Sequence, residues 1–496
     1  MSSWAHIAID LGAESGRVMV GVINRDRLTL REAHRFAHLP VPTPAGLCWD
    51  VTGLWRSILE GLRAAGKLAS AEGIDLLSVG VDTWGVDFAL LSPGGQLLGL
   101  PLCYREPSFQ QAFERCVARL THRQIYDSTG IQLMPINSLY QYEHRNRTDP
   151  AAVAAAKSLL FMPDLFHWLL SGKAVVERTI ASTSQMVDAR TGEWNRQLLQ
   201  FLQLPCEPLG AIVDAGTVIG TILPEVARSV GLPETLKVVA PPAHDTAAAV
   251  VAVPTSGGDD WAYLSSGTWS LLGAELSAPI INDASADANF TNELGFARTV
   301  RFLKNIAGLW LVQECRRQWE RQGNPMDYTH LTAAAEQAPP LRTLIPVNDP
   351  AFAAPGEMAD RIAIYARQTR QPVPQSPGEF IRCCLESLAL EYRRALQTLQ
   401  RLINRQIAKL HIIGGGARNG LLNQMTADAT GATVLAGPFE ATACGNILGQ
   451  AIGLGRLSDL AEARRIVARD AECREYRPSV VQTRADAAER YAKLPR

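Results

Sequence analysis

The chain has 496 residues, 47% of them hydrophobic and 20% charged, with a formal net charge of −1. This length predicts two or three domains, and the balanced charge, without a long run of one sign, argues against a nucleic-acid-binding protein. The nine cysteines are scattered without a C-x-x-C pair, and we find neither a signal peptide nor an apolar run of about 20 residues, so we expect a cytoplasmic protein with reduced thiols, no zinc and no membrane contact.

The first half of the chain has the pattern of a mixed sheet with helices. Short apolar runs at residues 7–9, 18–23 and 28–30, separated by turn residues, predict a meander of antiparallel strands. Apolar residues at helical spacing predict a helix over 54–69, and a further apolar run predicts a strand over 76–81. Strands that alternate with helices after a meander indicate an α/β domain.

The second half repeats this order. Strands predicted over 261–264 and 270–274 flank another tight turn, and Ser-Pro-Gly-Glu at 376–379 is a capping box that opens a long amphipathic helix reaching residue 402. A strand over 410–413 ends at the triple glycine 414–416. We therefore predict an N-terminal domain over 1–252, a related C-terminal domain over 253–475, and a peripheral charged tail over 476–496.

Three tight turns on small residues suggest a nucleotide site. Residues 10–17, 264–270 and 414–416 each follow an apolar run, and such turns expose backbone N–H groups that bind phosphate. Asp10, just before the first turn, can hold the hydrated magnesium ion of a nucleotide, and Arg17 can neutralise phosphate charge. Thr268 has the corresponding place in the second turn. Taken singly, each turn also fits a structural hairpin tip or strand-to-helix turn.

Asp245 stands where a predicted strand meets a predicted helix. The segment 236–240, apolar except for Lys237, predicts the strand, two prolines end it, and an Ala/Val-rich helix begins at Asp245. A carboxylate there fits a general base for a hydroxyl nucleophile, because the proton leaves late in a loose phosphoryl-transfer transition state and position matters more than basicity. The structural alternative is a helix cap, for which Asp is favoured.

Two further segments carry polar and aromatic residues suited to a sugar. Residues 82–88, Asp-Thr-Trp-Gly-Val-Asp-Phe, offer carboxylates for hydroxyl groups and an indole for an apolar ring face. Residues 304–313 begin polar and become an apolar helix, in which Asn305 can reach a sugar hydroxyl and Gln313, about two turns on, the nucleotide. The structural alternatives are a buried Trp with satisfied neighbours and a helix capped by Asn.

Together these segments resemble the FGGY family of carbohydrate kinases, in the actin-like, ribonuclease-H-like superfamily, over residues 7–460. The hairpins and the triple glycine are typical of the superfamily, whereas Thr-Trp-Gly-Val-Asp-Phe at 83–88 and Lys-Asn-Ile at 304–306 resemble the rhamnulokinase group within the family. The resemblance implies two actin-like α/β domains flanking a cleft, with the sugar mainly on the first and ATP mainly on the second. It implies transfer of the ATP γ-phosphoryl group to O1 of L-rhamnulose, with Mg²⁺.

The resemblance also implies the site residues. Asp245 matches the family's proton acceptor, and Asp10 remains the candidate magnesium residue. ATP contacts are implied at Ala13, Glu14, Ser15, Gly16, Arg17, Thr268, Gln313 and Gly415. Sugar contacts are implied at Gly85, His244, Asp245, Thr246 and Asn305.

Three other functions remain open at this point. The nearest is a kinase for another ketose or polyol, such as L-fuculose, xylulose or glycerol. The second is an actin-like sugar sensor without phosphoryl transfer, against which the intact set of Asp10, Asp245 and Thr268 argues. The third is a structural filament protein, against which the segment 82–88 argues. We expect a small sugar and ATP as ligands, with no nucleic acid, membrane or obligate protein partner.

Overall fold

The computed structural model describes residues 4–24, 27–255, 257–258, 260–470, 472–479 and 483–495. Its strands are β1 (Trp4–Leu11), β2 (Ser15–Asn24), β3 (Arg27–Ala37), β4 (Val41–Thr43), β5 (Gly46–Cys48), β6 (Asp75–Thr83), β7 (Phe88–Leu91), β8 (Ser158–Phe161), β9 (Val176–Glu177), β10 (Val187–Asp188), β11 (Glu193–Trp194), β12 (Ile212–Val213), β13 (Thr217–Thr221), β14 (Lys237–Ala240), β15 (Trp261–Ser266), β16 (Trp269–Leu276), β17 (Thr291–Leu294), β18 (Val300–Ala307), β19 (Lys409–Ile413), β20 (Thr433–Ala436) and β21 (Arg474–Tyr476).

Its helices are α1 (Val51–Glu72), α2 (Phe109–Arg119), α3 (His122–Thr129), α4 (Ser138–Thr148), α5 (Pro150–Ala155), α6 (Met162–Ser171), α7 (Arg178–Ala181), α8 (Arg196–Phe201), α9 (Pro224–Val230), α10 (Asp245–Val251), α11 (Asp283–Asp287), α12 (Trp310–Arg321), α13 (Tyr328–Gln337), α14 (Met358–Gln368), α15 (Pro377–Ile403), α16 (Gly420–Thr430), α17 (Ala441–Gly453), α18 (Leu460–Asp470) and α19 (Thr483–Ala492). Within the described ranges, none of these helices combines the length and the apolar character needed to span a bilayer.

The chain forms two compact units, each assembled from separated segments. The first unit contains residues 1–256, 275–302 and 441–471, and the second contains 257–274, 303–440 and 472–496. The linear division predicted from the sequence placed 275–302 and 441–471 in the C-terminal domain, whereas these two segments belong to the first unit.

The first unit is built on a six-stranded mixed sheet in the order β13-β14-β6-β1-β2-β3. β1, β2 and β3 form the predicted antiparallel meander, while β6 pairs parallel to β1 and β14 parallel to β6. β1 is buried from Ala5 to Leu11, as expected for a central strand covered on both faces. Its carboxyl end pairs with that of β6, Leu11 opposite Thr83, so polar residues of both strands meet at one edge of the sheet.

Helix α1 covers β2 and β3. It contains the predicted segment 54–69 and begins one turn earlier, because the side chain of Asp50 caps it by accepting the N–H of Gly53 at 2.9 Å. Leu54, Ile58 and Leu62 are buried on its inner face.

Helix α17 completes the first unit from late in the chain. Its glycines recur every four residues and form a flat face against neighbouring backbone. A Cβ added at Gly445 would lie 1.7 Å from the carbonyl oxygen of Ala248, and one at Gly449 would lie 2.5 Å from Pro242. Gly453 lies against the loop before β13. Only glycine permits this close approach to α10 and its flanking loop.

The second unit has its own sheet, in which β15 pairs antiparallel with β16 and parallel with β19, and β19 pairs parallel with β20. The predicted N-cap opens α15, because the hydroxyl of Ser376 accepts the N–H of Glu379 at 3.3 Å. The other half of the capping box is not formed, since the Glu379 carboxylate accepts the N–H of Gln375 at 2.9 Å. The tail was predicted to be peripheral, but α19 packs on α15. Tyr491 is 3% exposed, clusters with Leu344 and Leu390, and donates its hydroxyl to Glu391 Oε2 at 3.1 Å.

Candidate active site

The carboxyl ends of β1 and β6 bring two buried carboxyl groups side by side. Asp10 and Asp82 are register partners and are 2% and 0% exposed. Arg17, opposite Asp10 on β2, donates from its guanidinium to Asp10 Oδ2 at 2.6 Å. Burial and then the charge of Asp10 raise the pKa of Asp82 well above its usual range. Asp10 is thus an ion-paired carboxylate with a second, buried carboxyl group beside it.

A chain of buried hydrogen bonds supports Asp82 from α17. Asn446 Nδ2 donates to Asp82 Oδ2 at 2.5 Å, and Gln450 Nε2 donates to Asn446 Oδ1 at 2.6 Å. The Ser78 hydroxyl donates to Gln450 Oε1 at 2.6 Å and lies 2.7 Å from His6 Nδ1. The orientation of Asp82 is therefore fixed by a polar network that runs beneath the sheet.

Asp245 opens α10 with one carboxylate oxygen engaged. Oδ1 accepts the N–H of Thr246 at 2.6 Å and its hydroxyl at 3.2 Å, and lies 3.3 Å from Nε2 of His244. Among the described residues, none donates to Oδ2, and the side chain is 31% exposed. The charge of Asp245 also raises the pKa of Asp82, so the three carboxyl groups share one electrostatic neighbourhood.

A buried arginine and its counter-ion lie behind His244. Arg301 is 0% exposed, and its NH2 group lies 3.2 Å from His244 Nδ1 and 3.0 Å from Glu293 Oε2. Glu293 Oε2 is also 3.4 Å from Nδ1. On the other edge of the ring, a Cβ added at Gly85 would stand 3.3 Å from Nε2. The imidazole is therefore held between a charged pair on one side and Gly85 with Asp245 on the other.

A pair of indoles surrounds a buried carboxyl group after β6. The rings of Trp49 and Trp84 lie 4.2 Å apart, and both N–H groups donate to Asp87 Oδ2, at 2.6 and 2.9 Å. Gln141 Nε2 donates to Asp87 Oδ1 at 2.8 Å, and the N–H of Tyr104 donates to Oδ2 at 3.2 Å. Burial raises the pKa of Asp87 to about 7, against the opposing effect of these donors. Asp87 thus accepts hydrogen bonds from side chains and backbone of the protein itself. This matches the structural alternative given above, in which a buried Trp has satisfied polar neighbours.

In the second unit, the start of α12 holds the turn between β15 and β16. The N–H of Trp310 donates to the carbonyl of Thr268 at 3.2 Å, and Gln313 Nε2 donates to the Thr268 hydroxyl at 3.3 Å. A Cβ added at Gly308 would lie 2.6 Å from the turn's backbone. The structure therefore brings the predicted nucleotide residues Thr268 and Gln313 into direct contact.

The triple glycine that follows β19 has three different explanations. Gly414 adopts a φ of 86°, which favours glycine. A Cβ added at Gly416 would lie 2.1 Å from the hydroxyl of Ser266 on β15, so Gly416 is required by packing. Gly415 is exposed, and its added Cβ would meet nothing within 4 Å. Gly415 therefore exposes its backbone, and packing against the described residues does not require a glycine at this position.

Models of a single protein family match both halves of the chain. The C-terminal domain model of the FGGY family of carbohydrate kinases matches residues 262–454, and its N-terminal domain model matches residues 5–252. The chain belongs to this family. The predicted fold, two actin-like α/β domains, is confirmed, and the repeated order of strands in the two halves is the duplication that this fold contains.

This FGGY kinase matches its curated relatives over almost the full length. It is 44% identical over 471 residues to a rhamnulokinase of Bacteroides thetaiotaomicron, covering 95% of each chain. It is 41% identical over 465 residues to a rhamnulokinase of Enterococcus faecalis, covering 92% and 91%. Further relatives at 36–38% identity carry the same name. A solved xylulose kinase from Lactobacillus acidophilus matches with a TM-score of 0.78 and 16% identity over 99% of this chain and 96% of that one, which shows the shared fold.

The predicted site residues of the kinase fall on both units. The first unit holds Asp10, Ala13, Glu14, Ser15, Gly16, Arg17, Gly85, His244, Asp245 and Thr246, and the second holds Thr268, Asn305, Gln313 and Gly415. Most of the first hairpin tip is partly exposed, but Gly16 is buried. A Cβ added at Gly16 would lie 2.3 Å from the ring of Phe36, so packing explains this glycine without a ligand.

Asn305 lies in a strand and not in the helix predicted to begin at 304. β18 runs from Val300 to Ala307, and α12 begins only at Trp310. The prediction failed because residues 300–303 are all buried, so the strand lacks the polar–apolar alternation that identifies strands with one exposed face. The polar pair at 304–305 then had the appearance of a helix start.

Four polar residues of the site escaped the sequence analysis: Glu293, Arg301, Asn446 and Gln450. Arg301 interrupts an apolar run that became a buried strand, and a charge in such a run is rarely buried unless it is paired. Glu293 stands in the polar sequence Thr-Asn-Glu at 291–293, which gives no comparable signal. Asn446 and Gln450 are four residues apart in a helix of small and apolar residues. These patterns were the available signals.

The residues at the ends of β1 and β6 fit a hydrated magnesium ion. Asp82 Oδ1 is buried and has no hydrogen-bond partner among the described residues, and it belongs to the register partner of Asp10. Mg²⁺ prefers such oxygen ligands, usually one or two carboxylates plus water and phosphate. A cluster of three His, Cys, Asp or Glu residues able to hold a metal is not found in the described part of the chain.

Proposed function

We propose that this FGGY kinase is a rhamnulokinase that transfers the γ-phosphoryl group of ATP to O1 of L-rhamnulose, giving L-rhamnulose 1-phosphate and ADP. This reaction belongs to L-rhamnose catabolism. The observation that carries the assignment is 44% identity to a curated rhamnulokinase over 95% of both chains. The strings at 83–88 and 304–306, which resemble the rhamnulokinase group, support it.

Asp245 is the proposed acceptor of the proton from the attacking hydroxyl. Two donors hold Oδ1, the N–H and the hydroxyl of Thr246, and Nε2 of His244 lies 3.3 Å from the same oxygen. Oδ2 is left for the substrate. A carboxylate is a weak base, but phosphoryl transfer passes through a loose transition state in which most catalysis comes from positioning and electrostatic stabilisation. A fixed Asp245 is suited to that task, with Gly85, His244, Thr246 and Asn305 as the proposed sugar contacts.

The nucleotide is assigned to the glycine turns. The open backbone at Gly415 and the paired side chains of Thr268 and Gln313 support nucleotide contacts on the second unit. The hairpin 13–17 of the first unit supplies further donors, including Arg17. Asp10, with Asp82 beside it, would hold the hydrated Mg²⁺ of the nucleotide, which when bound neutralises phosphate charge.

We place the enzyme in the cytoplasm, because all nine cysteines are free thiols in the structure, and eight of them are at least partly buried. No protein partner, nucleic acid or membrane forms part of the proposal.

The decisive experiment is ATP consumption with a panel of acceptors: L-rhamnulose, L-fuculose, xylulose and glycerol. We expect kcat/KM for L-rhamnulose to exceed that for each other acceptor by at least about tenfold, which corresponds to about 1.4 kcal/mol. A higher value for another acceptor would refute the rhamnulose assignment and show a kinase for that acceptor instead. If ATP stabilises the protein against heat only when sugar is present, and no ADP is formed, the protein is a sugar sensor without phosphoryl transfer.

The role of Asp245 is tested by Asp245→Asn, which keeps the shape of the side chain and removes its basicity. We expect kcat to fall by roughly 10²–10⁴ and ATP binding to remain near normal. The matched control is Asp75→Asn, since Asp75 is an exposed carboxylate at the opposite end of β6. Full turnover by the Asp245→Asn enzyme would exclude the general-base role.

A further inference from the structure

We infer that Arg301 is a positioning residue for phosphoryl transfer, because it fixes the tautomer of His244 and His244 in turn orients Asp245. This inference rests on the proposed role of Asp245 as the proton acceptor. All of these residues lie in the first unit.

The hydrogen-bonding capacity of arginine determines the tautomer. A guanidinium group can only donate, and NH2 of Arg301 forms a hydrogen bond of 3.2 Å with Nδ1 of His244. Nδ1 must therefore accept, which places the proton of the neutral ring on Nε2. Nε2 is 3.3 Å from Asp245 Oδ1, so the protonated nitrogen of the ring is the one beside the carboxylate.

Arg301 is itself held firmly. It is fully buried, its Nε donates to the carbonyl of Leu294 at 3.3 Å, and Glu293, 4% exposed, balances its charge at 3.0 Å. A buried ion pair contributes little stability compared with apolar residues of similar volume. Stability alone therefore gives no reason for a charged pair behind His244, whereas a fixed donor aimed at Nδ1 does.

The backbone of His244 is fixed independently of Arg301. Its N–H donates to the hydroxyl of Thr179 at 3.2 Å. The Thr179 hydroxyl donates to Glu177 Oε2 at 2.6 Å, and the same oxygen accepts the N–H of Ala243 at 3.2 Å. The orientation of the ring and the position of its proton are then the remaining variables, and these are what Arg301 controls.

The alternative tautomer would place the proton on Nδ1, toward Glu293 Oε2 at 3.4 Å. Nε2 would then turn a lone pair toward Asp245 Oδ1, which repels the carboxylate. With Nε2–H, a proton and not a lone pair faces the oxygen that the N–H and hydroxyl of Thr246 already hold. Arg301 thus helps to keep Oδ1 in place and Oδ2 available to the substrate hydroxyl.

The first test needs no variant of Arg301. Long-range ¹H–¹⁵N spectra of the protein labelled with [¹⁵N]histidine report the protonation of each ring nitrogen, and the signals lost in His244→Asn identify His244. We expect Nε2 to carry the proton and Nδ1 to be bare. A proton on Nδ1, or two nitrogens averaged by exchange, overturns the inference.

The second test uses kinetics. We expect Arg301→Met to lower kcat by about 10- to 100-fold, the range for a displaced catalytic group, with KM for ATP unchanged. Arg301→Lys should recover part of this loss, because it keeps a charged donor without the fixed fork. In the His244→Asn background, Arg301→Met should lower kcat by less than about twofold, because residues that act as a unit are non-additive.

The matched control is Arg464→Met. Arg464 is 8% exposed and ion-paired to Glu275 at 2.8 Å in the same unit. This change should lower thermal stability and leave kcat and the His244 spectrum unaltered. Fully additive losses for Arg301 and His244, or equal losses of kcat in both arginine variants, would show that Arg301 is merely structural. If the wild type phosphorylates no acceptor, the proposed function fails, while the tautomer is still decided by the spectra.

Discussion

Replacement of His6 by Asn should change how stability depends on pH. The Ser78 hydroxyl gives its one proton to Gln450 Oε1, because Gln450 Nε2 already donates to Asn446 and to the carbonyl of Ile7. His6 Nδ1, 2.7 Å from that hydroxyl, must therefore donate, and Nε2 is buried without a partner among the described residues. A second proton on the ring would be an unpaired charge in the core, and burial lowers the pKa of His6 to about 3.

The magnitude follows from this pKa. The unfolded chain takes up a proton near the ordinary value of 6.5, but the folded chain does so only near 3, so stability contributed by the neutral ring is lost as the pH falls through this window. A pH of about 4.5 is two units below the pKa of 6.5 for the unfolded ring. The stability lost there is about 2.7 kcal/mol, at 1.36 kcal/mol per pH unit.

Urea unfolding gives the free energy of unfolding of wild type and variant at about pH 7.5 and about pH 4.5. Comparing the loss on acidification in the two proteins isolates His6, because the titration of all other groups cancels. Asn keeps a donor for Ser78 but does not titrate, so the wild type should lose about 2.7 kcal/mol more than His6→Asn on acidification. The control His122→Asn removes an exposed histidine and should change the difference by less than about 0.5 kcal/mol. Identical pH dependence of wild type and His6→Asn would refute the reasoning.

Two further predictions concern glycines. Gly16→Ala should destabilise the protein by about 1–3 kcal/mol in urea unfolding, because its Cβ would lie 2.3 Å from Phe36, and Phe36→Leu in the same chain should restore part of the loss. Unchanged stability with weakened ATP affinity would point to a phosphate contact instead. Gly415→Ala should raise KM for ATP without a change in unfolding midpoint, whereas Gly416→Ala, which meets Ser266 at 2.1 Å, should lower the midpoint. The opposite pattern would contradict the assignment of the open backbone to the nucleotide.

The local features of the fold were predictable because their signals are local. The meander β1–β3, the cap at Ser376 and the start of α10 at Asp245 depend on neighbours within a few residues. Their ends were less accessible: the run at 7–9 became a strand from Trp4 to Leu11, because periodicity locates a strand without fixing its limits.

The rest of the candidate site depends on contacts between distant segments. Arg301 reaches His244 across 57 positions, and Asn446 reaches Asp82 across 364. No window of the sequence contains both members of either pair. Gly16 illustrates the converse error, since a glycine that Phe36 requires for packing has the same appearance in a sequence as one that phosphate requires.

The glycine-faced helix α17 has a consequence for how the chain is made. Asp82 and the central sheet leave the ribosome long before residues 441–471, which complete the first unit. During most of synthesis the surface of β1, β6 and α10 that α17 later covers is bare, and the carboxamide that orients Asp82 does not yet exist. The nascent N-terminal half therefore exposes apolar surface of the kind that chaperones bind. A premature stop near residue 440 leaves the first unit incomplete, although most of that unit is encoded at the start of the chain.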